Sequence, residues 1–492
     1  MEKLIAAKLD EVYLQVSCEP GVARELVDYF SFYVPGYRFM PAYRMRMWDG
    51  KLRLFNLMNY TLYLGLLPYL KEFCNSREYE IVIDSSLDNN VQFSDIQCKN
   101  FLNSLLLPFE ARDYQVEAIQ HSIKNHRALL LSPTGSGKSL IIYALTQYYN
   151  KKTLIIVPTI SLVSQMFSDF QQYAEKNSSI KVDSLYHCIY GGQDKNTSKK
   201  FVISTWQSIH KLPKSWFDQF EVVITDEVHL AKAKSLTGIM TKLDKTKYRF
   251  GTTGTLDGTQ THKLVLEGLF GSTFSVTTTK TLMDKKQLAE LSIDCVVLKY
   301  SETSGKFVKS LSYQDEIKFL VQHDKRNKFI SNLAISTQSN CLVIFQLVEL
   351  HGKVLHKIIK EKLEKTEPNR KVFFVSGQTE AEDREQIRHI TEKEKNAIIV
   401  ASSGVFSTGI NIKNLENIIF ASPTKSRIKT LQSIGRTLRI GDYSDKAKLY
   451  DIVDDLTYKS YKNFAIKHFL ERVKIYNQEK FKYRMCSVKL EN

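Results

Sequence analysis

Residues 128–149 read ALLLSPTGSGKSLIIYALTQYY. The opening ALLLS has the continuous apolar character of a buried strand, and the closing LIIYALTQYY that of a helix. Between them lies Ser132-Pro133-Thr134-Gly135-Ser136-Gly137-Lys138-Ser139, which keeps the pattern GxxxxGKS except that Ser132 stands where the first glycine is usual. Gly135 and Gly137 free the backbone to turn its N–H groups toward phosphate oxygens at a helix N-terminus, with Thr134 and Ser136 completing the cradle. Lys138 is then placed to meet β- and γ-phosphates, and the Ser139 hydroxyl to ligand Mg2+. Strand, glycine loop and helix in that order predict a nucleoside triphosphate site in an α/β domain.

The same rhythm extends along the chain. TLIIVP (153–158), FVIST (201–205) and EVVITDE (221–227) follow, and a second series comprises CLVIFQ (341–346), KVFFVSG (371–377), AIIVASS (397–403) and NIIFASP (417–423). Continuous apolar strands that each feed a helical segment imply parallel sheets covered on both faces. Two α/β domains in tandem are expected, joined near residues 280–300. The run EVVITDE ends in Asp226-Glu227-Val228-His229. Acids that close a core strand beside a phosphate loop suit two tasks: Asp226 to hold the magnesium, and Glu227 to orient or deprotonate the attacking water.

Residues 1–100 have another texture, with alternating strand-like runs at 12–16, 51–55 and 79–83 and one helical pattern from Val22 to Phe32. Within this region, 35–53 carries Arg38, Arg44, Arg46, Lys51 and Arg53 against the single acid Asp49, with Tyr37, Phe39, Tyr43 and Trp48 interleaved. Cations can neutralise phosphates while aromatic faces stack on unpaired bases, a combination suited to single strands or branch points. At the other end, 456–492 holds nine Lys or Arg against three Glu, and Tyr461, Ala465, His468, Val473 and Tyr476 recur at helical spacing. A basic amphipathic helix packed on the second domain is expected there.

Sixty-nine Lys plus Arg against 53 Asp plus Glu give the 492-residue chain a net charge of +16, which points to a polyanion or an anionic membrane surface. A spanning helix needs about 20 consecutive apolar residues, and the most apolar stretch, 59–70, is short and interrupted by Pro68. The start MEKLIAAKLD is too charged for a secretory leader. Seven cysteines without CxxC spacing suggest neither a disulfide framework nor a zinc site. The expectation is a cytoplasmic protein with a nucleic-acid partner and no membrane.

These motifs together resemble superfamily-two helicases, in which DEVH matches the DExH box. In the family's order, Arg112-Asp113-Tyr114-Gln115 resembles the segment that reads adenine, with Gln115 and Arg112 at the base. Val157-Pro158-Thr159 with Gln165, and Ser204-Thr205-Trp206-Gln207, resemble segments that grip the nucleic-acid backbone. Thr253-Gly254-Thr255 matches the coupling motif in its hydroxyls only. Val405 to Asn411 resembles the motif that touches both nucleotide and strand, which implies Gly409 and Asn411 at the nucleotide and Ser407 and Thr408 at the strand. Gln432 to Arg439 resembles the arginine-finger motif, whose Arg436 and Arg439 share one helix face and would stabilise charge on the transferring phosphoryl group. His229, Thr253, Thr255 and Gln432 would couple the two sites.

The segment Thr281 to Ser292 resembles one shared by DNA translocases and repair helicases, and the block 36–53 before such a motor is similar to the N-terminal domain of phage UvsW-type branch-migration helicases. The resemblance implies two tandem RecA-like parallel-sheet lobes preceded by a small α+β domain: 1–100 binding DNA, 105–285 binding ATP, 286–455 supplying the arginines, and 456–492 as a helical extension. It also implies an ATP- and Mg2+-dependent helicase or translocase acting on branched DNA or DNA with single-stranded regions, in the host cytoplasm, among phage or host recombination proteins. The rivals are an RNA helicase with the same motor and an ATP-gated clamp or strand-annealing factor.

Overall fold

In the computed structural model, residues 2–87, 91–230, 233–256, 259–408, 412, 414–423 and 446–490 are described. The chain divides into two compact units, Met1–Ser132 with Gly137–Thr277, and Pro133–Ser136 with Thr278–Asn492.

The first unit opens with β1 (Lys3–Lys8), β2 (Tyr13–Ser17), β3 (Ser31–Tyr33), β4 (Lys51–Arg53), β5 (Thr61–Tyr63) and β6 (Glu80–Ile83). Four of them form a sheet in the order β5-β2-β1-β6, while β3 and β4 pair separately. Leu4 and Ala6 of β1 and Leu14 and Val16 of β2 are fully buried, the period-two pattern of a sheet with one covered face. Helices Pro20–Tyr29 and Leu67–Arg77 contribute Val22, Leu26, Leu70 and Phe73 to the same core. The sequence suggested that the first helix reaches Phe32. Instead the helix ends at Tyr29 and β3 begins at Ser31, whose hydroxyl donates to the Val27 carbonyl at 2.5 Å.

This small domain is fastened to the one that follows. Gly65 has no room for a side chain, since a Cβ there would lie 2.0 Å from the Glu267 carbonyl oxygen. The Tyr69 hydroxyl donates to the Glu267 carboxylate at 2.6 Å, and Arg127 Nη2 donates to the Glu11 carbonyl at 2.8 Å.

The second sheet of this unit contains β7 (Arg127–Leu131), β8 (Thr153–Val157), β9 (Tyr186–Ile189), β10 (Phe201–Thr205), β11 (Val222–Thr225), β12 (Tyr248–Thr253) and β13 (Thr273–Ser275). Their order is β13-β7-β12-β11-β8-β10-β9, and every neighbouring pair is parallel. Leu129, Leu154, Val202 and Val223 pack against Phe217, Ile239 and Phe270 from the covering helices. The fold class expected from the apolar runs is the one observed; the added strands are the central β12 and the edges β9 and β13.

The second unit holds β14 (Glu290–Lys299), β15 (Cys341–Phe345), β16 (Val372–Val375), β17 (Ile398–Ser402), β18 (Asn417–Phe420), β19 (Lys446–Asp455) and β20 (Lys482–Lys489). They form an all-parallel sheet in the order β16-β17-β15-β18-β19-β14-β20. β14 occupies the stretch that sequence reasoning left as the join between domains.

The C-terminal segment differs from the expected helix. Helix Phe464–Gln478 is present, but β20 follows it and pairs with β14. Arg472 on that helix is fully buried, with Nε and Nη2 donating to the Asp451 carboxylate at 2.9 and 2.7 Å. Arg484 of β20 grips Asp294 of β14 at 2.5 and 2.8 Å, and Lys448 lies 3.0 Å from the same carboxylate. Two of the nine cations of this tract thus neutralise acids of the sheet. All seven cysteines are free thiols. Among the described residues, no helix is long and apolar enough to cross a membrane.

Candidate active site

β7, β12 and β11 are neighbours in their sheet, so the segments leaving their C-terminal ends meet at one edge. After β7, the Ser132 backbone N–H donates to the Thr253 carbonyl at the end of β12, at 2.8 Å. Ser132 is fully buried, and this backbone tie to the neighbouring strand is one that the usual glycine would make equally. Gly135 and Gly137 take φ of 85° and 79°, the left-handed region that glycine enters without a Cβ penalty. At Gly137 a Cβ would also lie 2.3 Å from Gln115 Nε2. Helix Lys138–Tyr149 starts at once. The Ser136 hydroxyl donates to the Pro133 carbonyl at 2.6 Å, and Thr134 lies in the turn between them.

The acids close β11. The Asp226 backbone N–H donates to the Ile156 carbonyl at 2.8 Å, fixing the strand end against β8. Asp226 Oδ1 accepts from the Thr252 hydroxyl at 2.5 Å and from the Glu227 N–H at 2.9 Å. Burial, reinforced by the charge of Glu227 and opposed by Lys138, pushes the Asp226 carboxyl up to about 6. Glu227 adopts φ 48°, a costly backbone for a residue with a Cβ. Its Oε1 lies 3.1 Å from Lys138 Nζ.

Ser139 and Asp226 offer hard oxygen donors and nothing softer. That fits Mg2+, which takes one or two protein oxygens and fills its shell with phosphates and water. The Ser139 hydroxyl lies 2.8 Å from the Tyr173 hydroxyl, a neighbour that no motif announces.

A polar chain runs from the acids to β12. His229 has no exposed side-chain surface, and its Nδ1 lies 2.6 Å from Thr253 Oγ1 and 3.4 Å from Glu227 Oε2. The Thr253 hydroxyl donates to the Thr255 carbonyl at 2.8 Å, so its one hydrogen is spent and the imidazole Nδ1 is assigned as the donor toward it. The upstream pair also closes on the loop. The Arg112 N–H donates to Gln115 Oε1 at 2.9 Å, and Gln115 Nε2 donates to the Gly137 carbonyl at 3.5 Å. Arg112 Nη1 donates to the Tyr114 hydroxyl at 2.7 Å.

The expected nucleic-acid residues of this unit leave from β8 and β10, adjacent strands on the other side of β11. Thr159 caps helix Ile160–Ala174 by accepting from the Leu162 N–H at 3.3 Å. Gln165 is exposed on that helix. Gln207 Nε2 donates to the Pro158 carbonyl at 3.1 Å, joining the two segments. Thr205 is buried, with its hydroxyl 2.9 Å from that of Ser208.

In the N-terminal domain, Arg38, Arg44 and Arg46 are exposed and line a cavity of about 590 Å³ with Tyr43, Met47, Trp48 and Asp49. Trp48 is half-buried, and its Nε1 donates to the Lys51 carbonyl at 2.8 Å. Lys51 Nζ stands 5.3 Å over the Tyr33 ring, and Arg53 Nη2 pairs with Asp49 at 2.5 Å. Sequence reasoning missed Met47, which is 76% exposed, as is Phe39 at 77%; apolar side chains bared among cations are the signal. Of the remaining residues, Ser407 and Thr408 close helix Ser403–Thr408. Gly409, Asn411, Gln432, Arg436 and Arg439 lie outside the described residues.

Comparison with known proteins agrees with this geometry. Residues 6–84 match the family described as DNA helicase UvsW, N-terminal; 108–258 match Type III restriction enzyme, res subunit; and 324–441 match Helicase conserved C-terminal domain. The chain is 36% identical over 507 residues to the ATP-dependent DNA helicase uvsW of Enterobacteria phage T4, covering 98% of each. It is 24% identical to the DNA 3'-5' translocase XPB2 of Sulfurisphaera tokodaii, covering 72% of this chain and 85% of that one. The crystal structure of T4 UvsW aligns with a TM-score of 0.53 at 34% identity, covering 99% of this chain and all of that one.

Proposed function

We propose, from the premise that this chain belongs to the UvsW family of ATP-dependent DNA helicases, that it acts on branched DNA: Holliday junctions, stalled forks, D-loops or R-loops. The observation that carries the reading is the open cavity walled by Arg38, Arg44 and Arg46 with Tyr43 and Trp48. It belongs to a domain fastened to the one bearing the phosphate loop. Its cations suit phosphates converging from several strands, and its rings suit the unpaired bases found where strands part.

The residues divide the work as follows. Thr134 to Gly137 cradle the phosphates through backbone N–H groups. Lys138 moves from Glu227 to the γ-phosphate as ATP enters, which frees the Glu227 carboxylate to orient the attacking water and take its proton. Ser139 and Asp226 would hold Mg2+, which would supply positive charge to the phosphates when bound. Arg436 and Arg439 are proposed to bring guanidinium groups to the same charge, and Gln115 with Arg112 to read the adenine. The chain from Glu227 through His229 to Thr253 ties the hydrolytic end of β11 to the coupling segment at the end of β12. Recombination proteins of phage or host are the proposed partners.

The deciding experiment compares ATPase rates with single-stranded DNA, duplex DNA, a four-way junction and RNA, alongside strand displacement on the junction with ATP and with a non-hydrolysable analogue. Junction-stimulated turnover with ATP-dependent displacement is expected. Preferential stimulation by RNA would replace this reading with an RNA helicase, and displacement without hydrolysis would replace it with a binding or annealing factor.

A further inference from the structure

Helix Ile160–Ala174 has a proposed nucleic-acid segment at its start and the ATP site at its end. Thr159 caps the first turn, and Tyr173 on the last turn meets the Ser139 hydroxyl at 2.8 Å. Tyr173 is only 8% exposed. Its ring is held edge-on by Phe109, with centroids 5.7 Å apart at 87°, and by Tyr143 at 5.6 Å and 63°. This packing holds the Tyr173 hydroxyl beside the first turn of the phosphate-loop helix.

The chemistry of Ser139 gives that hydroxyl a task. A serine hydroxyl has one hydrogen and two lone pairs. A cation takes a lone pair, so the hydrogen needs an acceptor on the other side. We infer that Tyr173 is a positioning residue for ATP hydrolysis: its hydroxyl accepts the Ser139 hydrogen and so aims a Ser139 lone pair at Mg2+. It also carries displacement of the strand-gripping end of its helix into the ATP site. The helix is about 22 Å long at 1.5 Å per residue, and a helix of that length, packed through Val163, Met166 and Phe170, moves as one rod. The inference rests on the assignment of Ser139 as a magnesium ligand.

The test uses the full chain and the fluorescent analogue mant-ATP, titrated with magnesium chloride with and without single-stranded DNA. The variants are Tyr173→Phe, which keeps the ring packing, and Ser139→Ala. Tyr173→Phe is expected to raise the magnesium needed for half-saturation by about tenfold, the usual scale for an outer partner of a metal ligand. It should leave magnesium-free binding unchanged and abolish the lowering of that requirement that DNA produces in the wild type. An unchanged requirement in Tyr173→Phe overturns the inference. So does a lowered one, because it would mean that Tyr173 donates and blocks a lone pair. A wild type whose requirement ignores DNA overturns the transmission through the helix. If Ser139→Ala also leaves the requirement unchanged, the magnesium assignment itself falls; if only Tyr173→Phe does so, that assignment stands and the role of Tyr173 falls alone.

Discussion

Lys138 Nζ and Glu227 Oε1 lie 3.1 Å apart, with side chains 11% and 17% exposed. The carboxylate proposed to handle the attacking water thus holds the ammonium that the γ-phosphate needs. On the proposed mechanism ATP breaks this pair as it binds, and breaking it releases the base. Glu227→Gln removes the competitor and the base together. Binding of mant-ATP should be retained or tightened in this variant, while steady-state turnover falls by about a hundredfold or more. Lys138→Ala should lose both. Glu227→Gln with wild-type turnover would exclude the pair from the chemistry.

His229 and Thr253 test the link to the strand. Their 2.6 Å contact joins the ends of β11 and β12 beneath the phosphate site without contributing a group to phosphate transfer. Thr253→Val should therefore lower strand displacement per ATP consumed more than it lowers DNA-stimulated hydrolysis. A coupling change of roughly 0.5–2 kcal/mol corresponds to about two- to thirtyfold in that ratio. Parallel measurement of hydrolysis and displacement decides, and equal losses in both would make the contact merely structural.

The sequence disclosed what short-range pattern can encode. The loop from Ser132 to Ser139 lies on a strand and a helix because apolar periodicity and glycine spacing are local. The sheet order and the tie from Ser132 to Thr253 depend on strands far apart in the chain. β14 was hidden because Ser292 and Asp294 interrupt its apolar run; Asp294 is tolerated there only through Arg484 and Lys448. The pairing of Arg472 and Arg484 was hidden by separation along the chain, since their partners Asp451 and Asp294 precede them by 21 and 190 residues. Tyr173 belongs to no motif, and only the folded helix brings it to Ser139.

The second unit contains a buried histidine whose charge state is set by geometry. Arg326 donates through Nε and Nη2 to Asp454 at 2.7 and 2.9 Å, with Nη1 3.5 Å from His351 Nε2. His351 Nδ1 lies 3.1 Å from the Ser422 hydroxyl. Burial, then the Arg326 charge, hold His351 well below its ordinary value of 6.5. The unfolded chain therefore binds a proton below about pH 6.5 that the folded protein refuses, and acid favours unfolding by up to about 1.4 kcal/mol per pH unit. Above that pH the contribution vanishes. His351→Gln should make the fall in urea midpoint between about pH 7 and about pH 5.5 shallower than in wild type. Equal slopes would remove His351 from the acid response.

The cationic cavity of the N-terminal domain makes a prediction in salt. Each phosphate neutralised by a protein cation releases counterions, so log K falls against log salt with a slope of about 0.9 per neutralised phosphate. Arg44 and Arg46 are exposed beside the cavity, whereas Arg53 is engaged by Asp49 at 2.5 Å. Reversing Arg44 and Arg46 to Glu should weaken junction binding and reduce the slope by about 0.9 for each phosphate left without its cation. Arg53→Gln, which removes a cation already paired, should change it far less. Fluorescence anisotropy on a labelled four-way junction across a salt series separates the cases. A slope that ignores Arg44 and Arg46 would make these arginines solvated surface, and a slope as sensitive to Arg53 would mean that bulk charge, rather than the cavity, attracts the DNA.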